Sequence, residues 1–181
     1  MSLMRFMLAA AMPSRMGDKF MKLSTAWKHT LRDAYKEPNV FLTMNFNRQI
    51  GFERMNAYAK AFFARADRRI IGRNFIKRPE ERIDCIGVIE SPDTNPHIHW
   101  FGLLPVPALN DYTADIYSEG FTREFKAVVP SGTIDVRPVW NKRRLSGYIS
   151  KQLRHFERSD RVLFTRDYWP SNGVFNGAKN R

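Results

Sequence analysis

Arg82-Ile83-Asp84-Cys85-Ile86-Gly87-Val88-Ile89-Glu90 and His97-Ile98-His99-Trp100-Phe101-Gly102-Leu103-Leu104 flank the segment Ser91-Pro92-Asp93-Thr94-Asn95-Pro96. Both outer runs are rich in aliphatic and aromatic residues and the middle is made of turn formers, so the stretch predicts an antiparallel hairpin. Successive side chains on a strand point to opposite faces, which puts His97 and His99 on one face with their ring nitrogens able to converge. If the hairpin closes across Ser91–Pro96, Glu90 and His97 are its flanking partners, and directly opposed residues share a face. Two imidazoles and a carboxylate leave coordination positions open, as a catalytic ion requires, whereas a closed structural site needs a fourth protein ligand. Taken singly, a His-x-His pair is more often structural and Glu90 is an exposed strand-end carboxylate. The shared face favours a metal site.

Towards the N-terminus, Leu23, Trp27, Leu31 and Ala34 recur at helical spacing, with Pro38 beyond the end. Val40 to Phe46 reads as a strand, and Asn47 can cap the helix expected after it. The apolar positions Phe52, Met55, Ala59, Phe62, Ala66 and Ile70 predict a long helix ending near Gly72 and Asn74, with Arg54, Lys60, Arg65, Arg68 and Arg69 largely on its other surface. Towards the C-terminus, Pro105 and Pro107 close the second hairpin strand, Leu109 to Gly120 has no assignable pattern and reads as a loop or irregular excursion, and a short helix is expected over Thr122–Val128. Thr133 to Trp140 predicts a strand that Pro138 places at a sheet edge or a bulge. Asn141 caps a basic helix running to about His155, which Gly147 weakens just before Tyr148, a position suited to close approach of another backbone. Beyond Glu157 one apolar patch, Val162-Leu163-Phe164, precedes an Asn/Gly-rich end expected to fray. This order predicts an α+β fold: an antiparallel central sheet with helices on one face, ferredoxin-like or RRM-like in character.

The 181 residues fit one domain. Thirty Lys and Arg against eighteen Asp and Glu give a formal charge of +12, which points to a polyanionic partner, nucleic acid first. The single cysteine, Cys85, cannot form an intrachain disulfide and lies in an apolar run, as a buried inert thiol in a reducing compartment would. Phe6 to Met12 only reaches the lower limit of a signal-peptide apolar region, and no run is long enough to span a membrane. A cytoplasmic protein without a membrane partner is expected.

Downstream, Tyr148, Lys151 and Gln152 fall on one patch of the basic helix, because residues three and four apart are neighbours there. A phenol is a poor nucleophile at neutral pH unless cationic groups or a polarised target assist it. Lys151 and a metal ion could supply that help, although singly Tyr148 reads as a packing residue and Lys151 as a solvated charge.

Together, His97-Ile98-His99, Tyr148-Ile149-Ser150-Lys151 and the earlier Phe41-Leu42-Thr43-Met44-Asn45-Phe46 resemble the motifs of the HUH endonucleases, specifically the single-tyrosine rolling-circle replication-initiator (Rep) branch. The resemblance spans roughly Phe41 to His155. It implies an N-terminal segment with one helix at 1–39, an HUH nuclease core at 40–156 and a C-terminal tail at 157–181. It further implies a divalent ion, Mg or Mn, held by His97, His99 and a third ligand. Glu90 lies at about the family's distance before the histidines, and Gln152 fits the position of a metal-binding Gln in related single-tyrosine transposases, so either or both complete the set. Tyr148 would attack a phosphodiester of single-stranded DNA, giving a 5′-phosphotyrosyl adduct and a free 3′-hydroxyl, with Lys151 assisting and Arg143, Arg144 and Arg154 gripping the backbone. No Gly-rich phosphate loop is present, so duplex opening would fall to a separate helicase or to DNA structure. Replication initiation, transposition and conjugative nicking share this chemistry; a non-catalytic single-strand-binding module and a hydrolase using metal-bound water are the rival classes.

Overall fold

Val40, Leu42 and Met44 are fully buried while Phe41, Thr43 and Asn45 between them are half-buried, so β1 (Val40–Asn45) has one core face and one more open face. The computed structural model describes residues 23–90, 94–106, 110–150 and 161–169. Around β1 stand α1 (Leu23–Ala34), α2 (Phe52–Ile71), β2 (Asp84–Glu90), β3 (His97–Leu103), α3 (Asp111–Lys126), β4 (Thr133–Pro138), α4 (Lys142–Ser150) and β5 (Val162–Phe164). The strands form one antiparallel sheet in the order β4-β1-β3-β2-β5. The chain is thus α+β with a central antiparallel sheet, and β4 lies at its edge, where Pro138 can be accommodated without an inner ladder bond.

The core face carries Leu42, Met44, Cys85, Ile89, Ile98, Trp100, Ile134, Val136 and Leu163, with α2 and α3 lying over it. At its centre the Trp100 ring meets Phe63 edge-on at 4.7 Å between centroids, and its Nε1–H donates to Met44 Sδ at 3.2 Å. Gly87 is the cross-strand partner of Trp100, and a Cβ there would come within 2.6 Å of the indole. Glycine is therefore required at this point of the sheet, where a ring occupies the space of a side chain.

Three features differ from the sequence expectation. From Asp111 onward the expected loop is the first part of α3, a single helix in place of the short one over Thr122–Val128. Its start is fixed by a reciprocal cap: Thr113 N–H donates to Asn110 Oδ1 at 3.0 Å and Asn110 N–H donates to Thr113 Oγ1 at 2.8 Å. Second, Val162-Leu163-Phe164 is no isolated patch; it pairs with Val88, Gly87 and Ile86 as the fifth strand. Third, helices cover both faces. Leu31 of α1, Tyr35 just beyond it and Ile149 of α4 close over Ile86, Val88, Phe101, Val162 and Phe164, because that end of the second face is itself apolar. The described part of the basic helix ends at Ser150, and its expected continuation to about His155 lies outside the described residues. No helix among the described residues is long and apolar enough to cross a membrane.

α2 is fastened to the start of β2 by a buried ion pair. Asp67 accepts from Arg82 Nε at 2.7 Å and from the Ile83 N–H at 2.9 Å, while the Arg82 guanidinium lies between the rings of Phe75 and Trp169 at 5.2 and 5.4 Å. Asp67→Ala strands a guanidinium with no carboxylate, and a loss of about 3–5 kcal/mol is expected in chemical denaturation. A loss below about 1 kcal/mol, the range of an exposed pair, would contradict this account.

Candidate metal centre and nucleophile

The hairpin register sets Glu90 opposite His97 and Val88 opposite His99, and β1 sets Thr43 opposite His99 and Asn45 opposite His97. The pleat therefore delivers Glu90, His97 and His99 to the face opposite Trp100, at the end that the apolar cluster leaves open. Glu90 Oε2 lies 2.9 Å from His99 Nε2 and 3.3 Å from His97 Nε2. The two imidazoles stand nearly perpendicular, their centroids 4.9 Å apart. One ligand atom from each of the three residues lies within 4.8 Å of the other two, so the cluster could hold a metal ion.

The chemistry of the donor set fits a cation. His97 Nδ1 lies 2.7 Å from the Asn95 carbonyl, which can only accept, so Nδ1 donates there and Nε2 is the nitrogen turned towards Glu90. His99 contacts Thr43 Oγ1 through Nδ1 at 3.1 Å and stacks on Phe41 at 5.3 Å, with 20° between the rings. Burial, and then the neighbouring His97, lower the His99 pKa below the usual imidazole value, which favours the neutral, metal-ligating form. Two ring nitrogens and a carboxylate thus converge on one point; Glu90 accepts from His99 Nε2–H there, and a cation taking the place of that proton could be held by all three residues.

Tyr148 reaches this point from α4. Its ring lies 5.5 Å from the His99 ring at 68°, and it is 47% exposed. The next residue, Ile149, is buried in the apolar cluster, and Ser146 and Ser150 are buried beside it. Their hydroxyls donate to the Arg143 and Gly147 carbonyls of the same helix, at 3.0 and 3.1 Å, so the buried side of α4 asks for no outside partner. Burial first, and the charge of Glu90 second, raise the Tyr148 pKa.

Of the residues expected at the site, Glu90, His97, His99 and Tyr148 come together, and Arg143 and Arg144 are exposed on the helix that carries Tyr148. Lys151, Gln152 and Arg154 lie outside the described residues; Glu90 reaches both histidines. The expected close backbone approach at Gly147 is not there: a Cβ would meet only the Lys28 side chain, at 3.5 Å from Cε. Thr43 and Phe41 hold His99 in place, roles that their motif alone does not assign. The period of two along β1 put them on one face and was the available signal.

If Thr43 orients His99, Thr43→Val weakens Mn²⁺ binding about tenfold, Thr43→Ser retains it, and Glu90→Ala loses at least as much as Thr43→Val. Titration of free Mn²⁺ by electron paramagnetic resonance measures all three. Affinity falls on acidification because the ligands must give up protons to bind. Wild-type affinity in Thr43→Val would remove Thr43 from this role. Compared with models of known protein families, with curated proteins and with solved structures, the chain gives no match.

Proposed function

We propose that the chain is a metal-dependent nickase and strand transferase of single-stranded DNA, acting through a 5′-phosphotyrosyl intermediate as in rolling-circle replication initiation. The observation that carries this reading is the placement of the half-exposed Tyr148 ring 5.5 Å from His99, on the face where Glu90 and the two histidines converge. Glu90, His97 and His99 would hold Mg²⁺ or Mn²⁺, hard cations for which a carboxylate is a suitable ligand. When bound, such an ion supplies Lewis-acid polarisation of a non-bridging phosphate oxygen.

The chain's own residues do the rest. Tyr148 Oη attacks phosphorus in line; the bond from the tyrosyl oxygen to phosphorus forms as the bond to the 3′-oxygen breaks, the phenol proton is lost and the departing oxygen gains one. One phosphodiester replaces another, so a later 3′-hydroxyl can reverse the step and join strands. Thr43 and Phe41 keep the His99 ring fixed while the substrate arrives. Arg143 and Arg144, exposed on the tyrosine's own helix, would grip phosphates flanking the scissile bond. Single-stranded DNA suits the site because the target bond must be drawn down to a sheet face beside a helix, and exposed bases can stack on aromatic side chains.

Incubation with a pool of single-stranded oligonucleotides and Mg²⁺ or Mn²⁺, followed by a denaturing gel, is expected to show a covalent adduct. Tyr148→Phe should reduce it at least about a thousandfold, since the nucleophile itself is gone, and chelation should abolish it. An adduct that persists in Tyr148→Phe would rule out this nucleophile. Cleavage without any adduct would assign the site to hydrolysis instead.

A further inference from the structure

A groove of about 510 Å³ opens beside Tyr148, lined by Lys28 of α1 and by Asn141, Arg143, Arg144, Gly147 and Tyr148 of α4 and its N-terminal flank. Three of its six lining residues are cations and none is acidic. Elsewhere Arg65 pairs with Glu124, Arg82 with Asp67, Arg137 with Asp135 and Arg166 with Asp84. The cations without a carboxylate partner among the described residues include Arg54 and Lys60 on α2 and Lys126 on α3; the groove differs in gathering three such cations around one opening. Lys28, Arg143 and Arg144 have no carboxylate partner among the described residues. Gly147 lines the groove without a side chain of its own. The Lys28 stem passes over its bare Cα, at 3.5 Å from where a Cβ would stand. One residue before Asn141, Trp140 is 77% exposed, the most exposed large apolar side chain among the described residues.

We infer that this groove seats the sugar-phosphate backbone of single-stranded DNA next to the scissile bond, with Lys28 supplied by the N-terminal helix and Trp140 at the rim as a stacking platform for a base. The inference rests on the reading of Tyr148 as a DNA nucleophile and adds to it a part of the chain outside the region that resembles the nuclease. Unpaired cations at fixed positions release counterions when phosphates replace them, which is where sequence-independent affinity comes from. A flat, exposed indole adds affinity for any base, since every base offers a π-face. α1 is held against α4 by Leu31, Tyr35 and Ile149, so Lys28 keeps a set position relative to Tyr148.

The test is fluorescence anisotropy of a labelled oligothymidylate with the full chain, over a salt series from about 50 to about 200 mM. Lys28→Glu and Arg144→Glu are expected to weaken binding about tenfold at the low end and to flatten the slope of log affinity against log salt by about 0.7 for each phosphate no longer neutralised. Trp140→Ala should weaken binding roughly tenfold with the slope unchanged. Gly147→Leu, which fills the groove while improving helix propensity, should weaken binding without lowering the melting temperature. Lys126→Glu, the same charge change on α3 across the sheet, is the control and should bind nearly as wild type. If Lys126→Glu loses as much as Lys28→Glu, bulk charge explains the binding and the groove assignment falls. If wild type forms the tyrosyl adduct while the groove variants bind normally, the groove falls and the nuclease reading stands. If the variants bind weakly as expected and wild type forms no adduct, the groove stands as a DNA-binding surface and the nuclease reading falls.

Discussion

In the β2–β3 ladder Gly87 faces Trp100 and Glu90 faces His97, and the two pairings express one register on opposite faces of the sheet. A slip of one residue would carry His97 and His99 under α2 and α3 and turn Ile98 and Trp100 to the other side. The core decides against that slip. Truncating a buried aromatic costs about 3–5 kcal/mol, while a hydrogen bond such as those within the triad contributes about 1 kcal/mol net. Trp100, wedged over Gly87 and against Phe63, therefore fixes the position of the ligands on the far face more firmly than the ligands fix themselves.

The second face is divided along the strands. At one end Ile86, Phe101 and Phe164 need covering and receive α1 and α4; at the other, Glu90, His97 and His99 remain reachable. α4 belongs to both halves. Adjacent residues on a helix differ by about 100° in direction, so Ile149 can anchor in the apolar cluster while Tyr148 leans over His99. Tyr35, just beyond α1, also donates to Asp84, which pairs with Arg166 as well, so the covered end is closed by a polar clasp as well as by apolar contact. The position of Tyr148 thus follows from the packing of its neighbour Ile149 in the apolar cluster.

Local patterns made the hairpin, its turn and the Glu90–His97 pairing legible, because strand period and turn length determine them without reference to distant chain. The edge position of β4 was legible from Pro138 for the same reason. α3 was harder. Its inward residues Ala114, Tyr117, Phe121 and Phe125 keep helical spacing, but Gly120 and β-branched residues dilute the pattern and its capping residue is Asn110 followed by Thr113, without the usual carboxylate. β5 is a run of only three residues, Val162–Phe164, too short to announce a strand; only the exposed edge of β2 makes it one. Asp67 stands among Arg65, Arg68 and Arg69 in the sequence and reads as one more surface charge, and nothing local links it to Arg82. Lys28 is equally mute, since its place in the groove depends on how α1 docks on α4.

The same distribution of charge bears on how a tyrosine here could become reactive. Burial first, and the negative charge of Glu90 second, raise the Tyr148 pKa. A divalent cation held by the cluster would leave it with one net positive charge, and the coupling that disfavours the phenolate would then favour it. Burial of His99 works in the same direction, because a ligand that resists protonation does not compete with the cation for its own lone pair. The rigid parts, Thr43 and Phe41 around His99 and the Asn95 carbonyl on His97, hold the ring nitrogens in place before any cation arrives. On such a sheet face the charge of Tyr148 would follow the occupancy of a cluster that Tyr148 does not itself ligate.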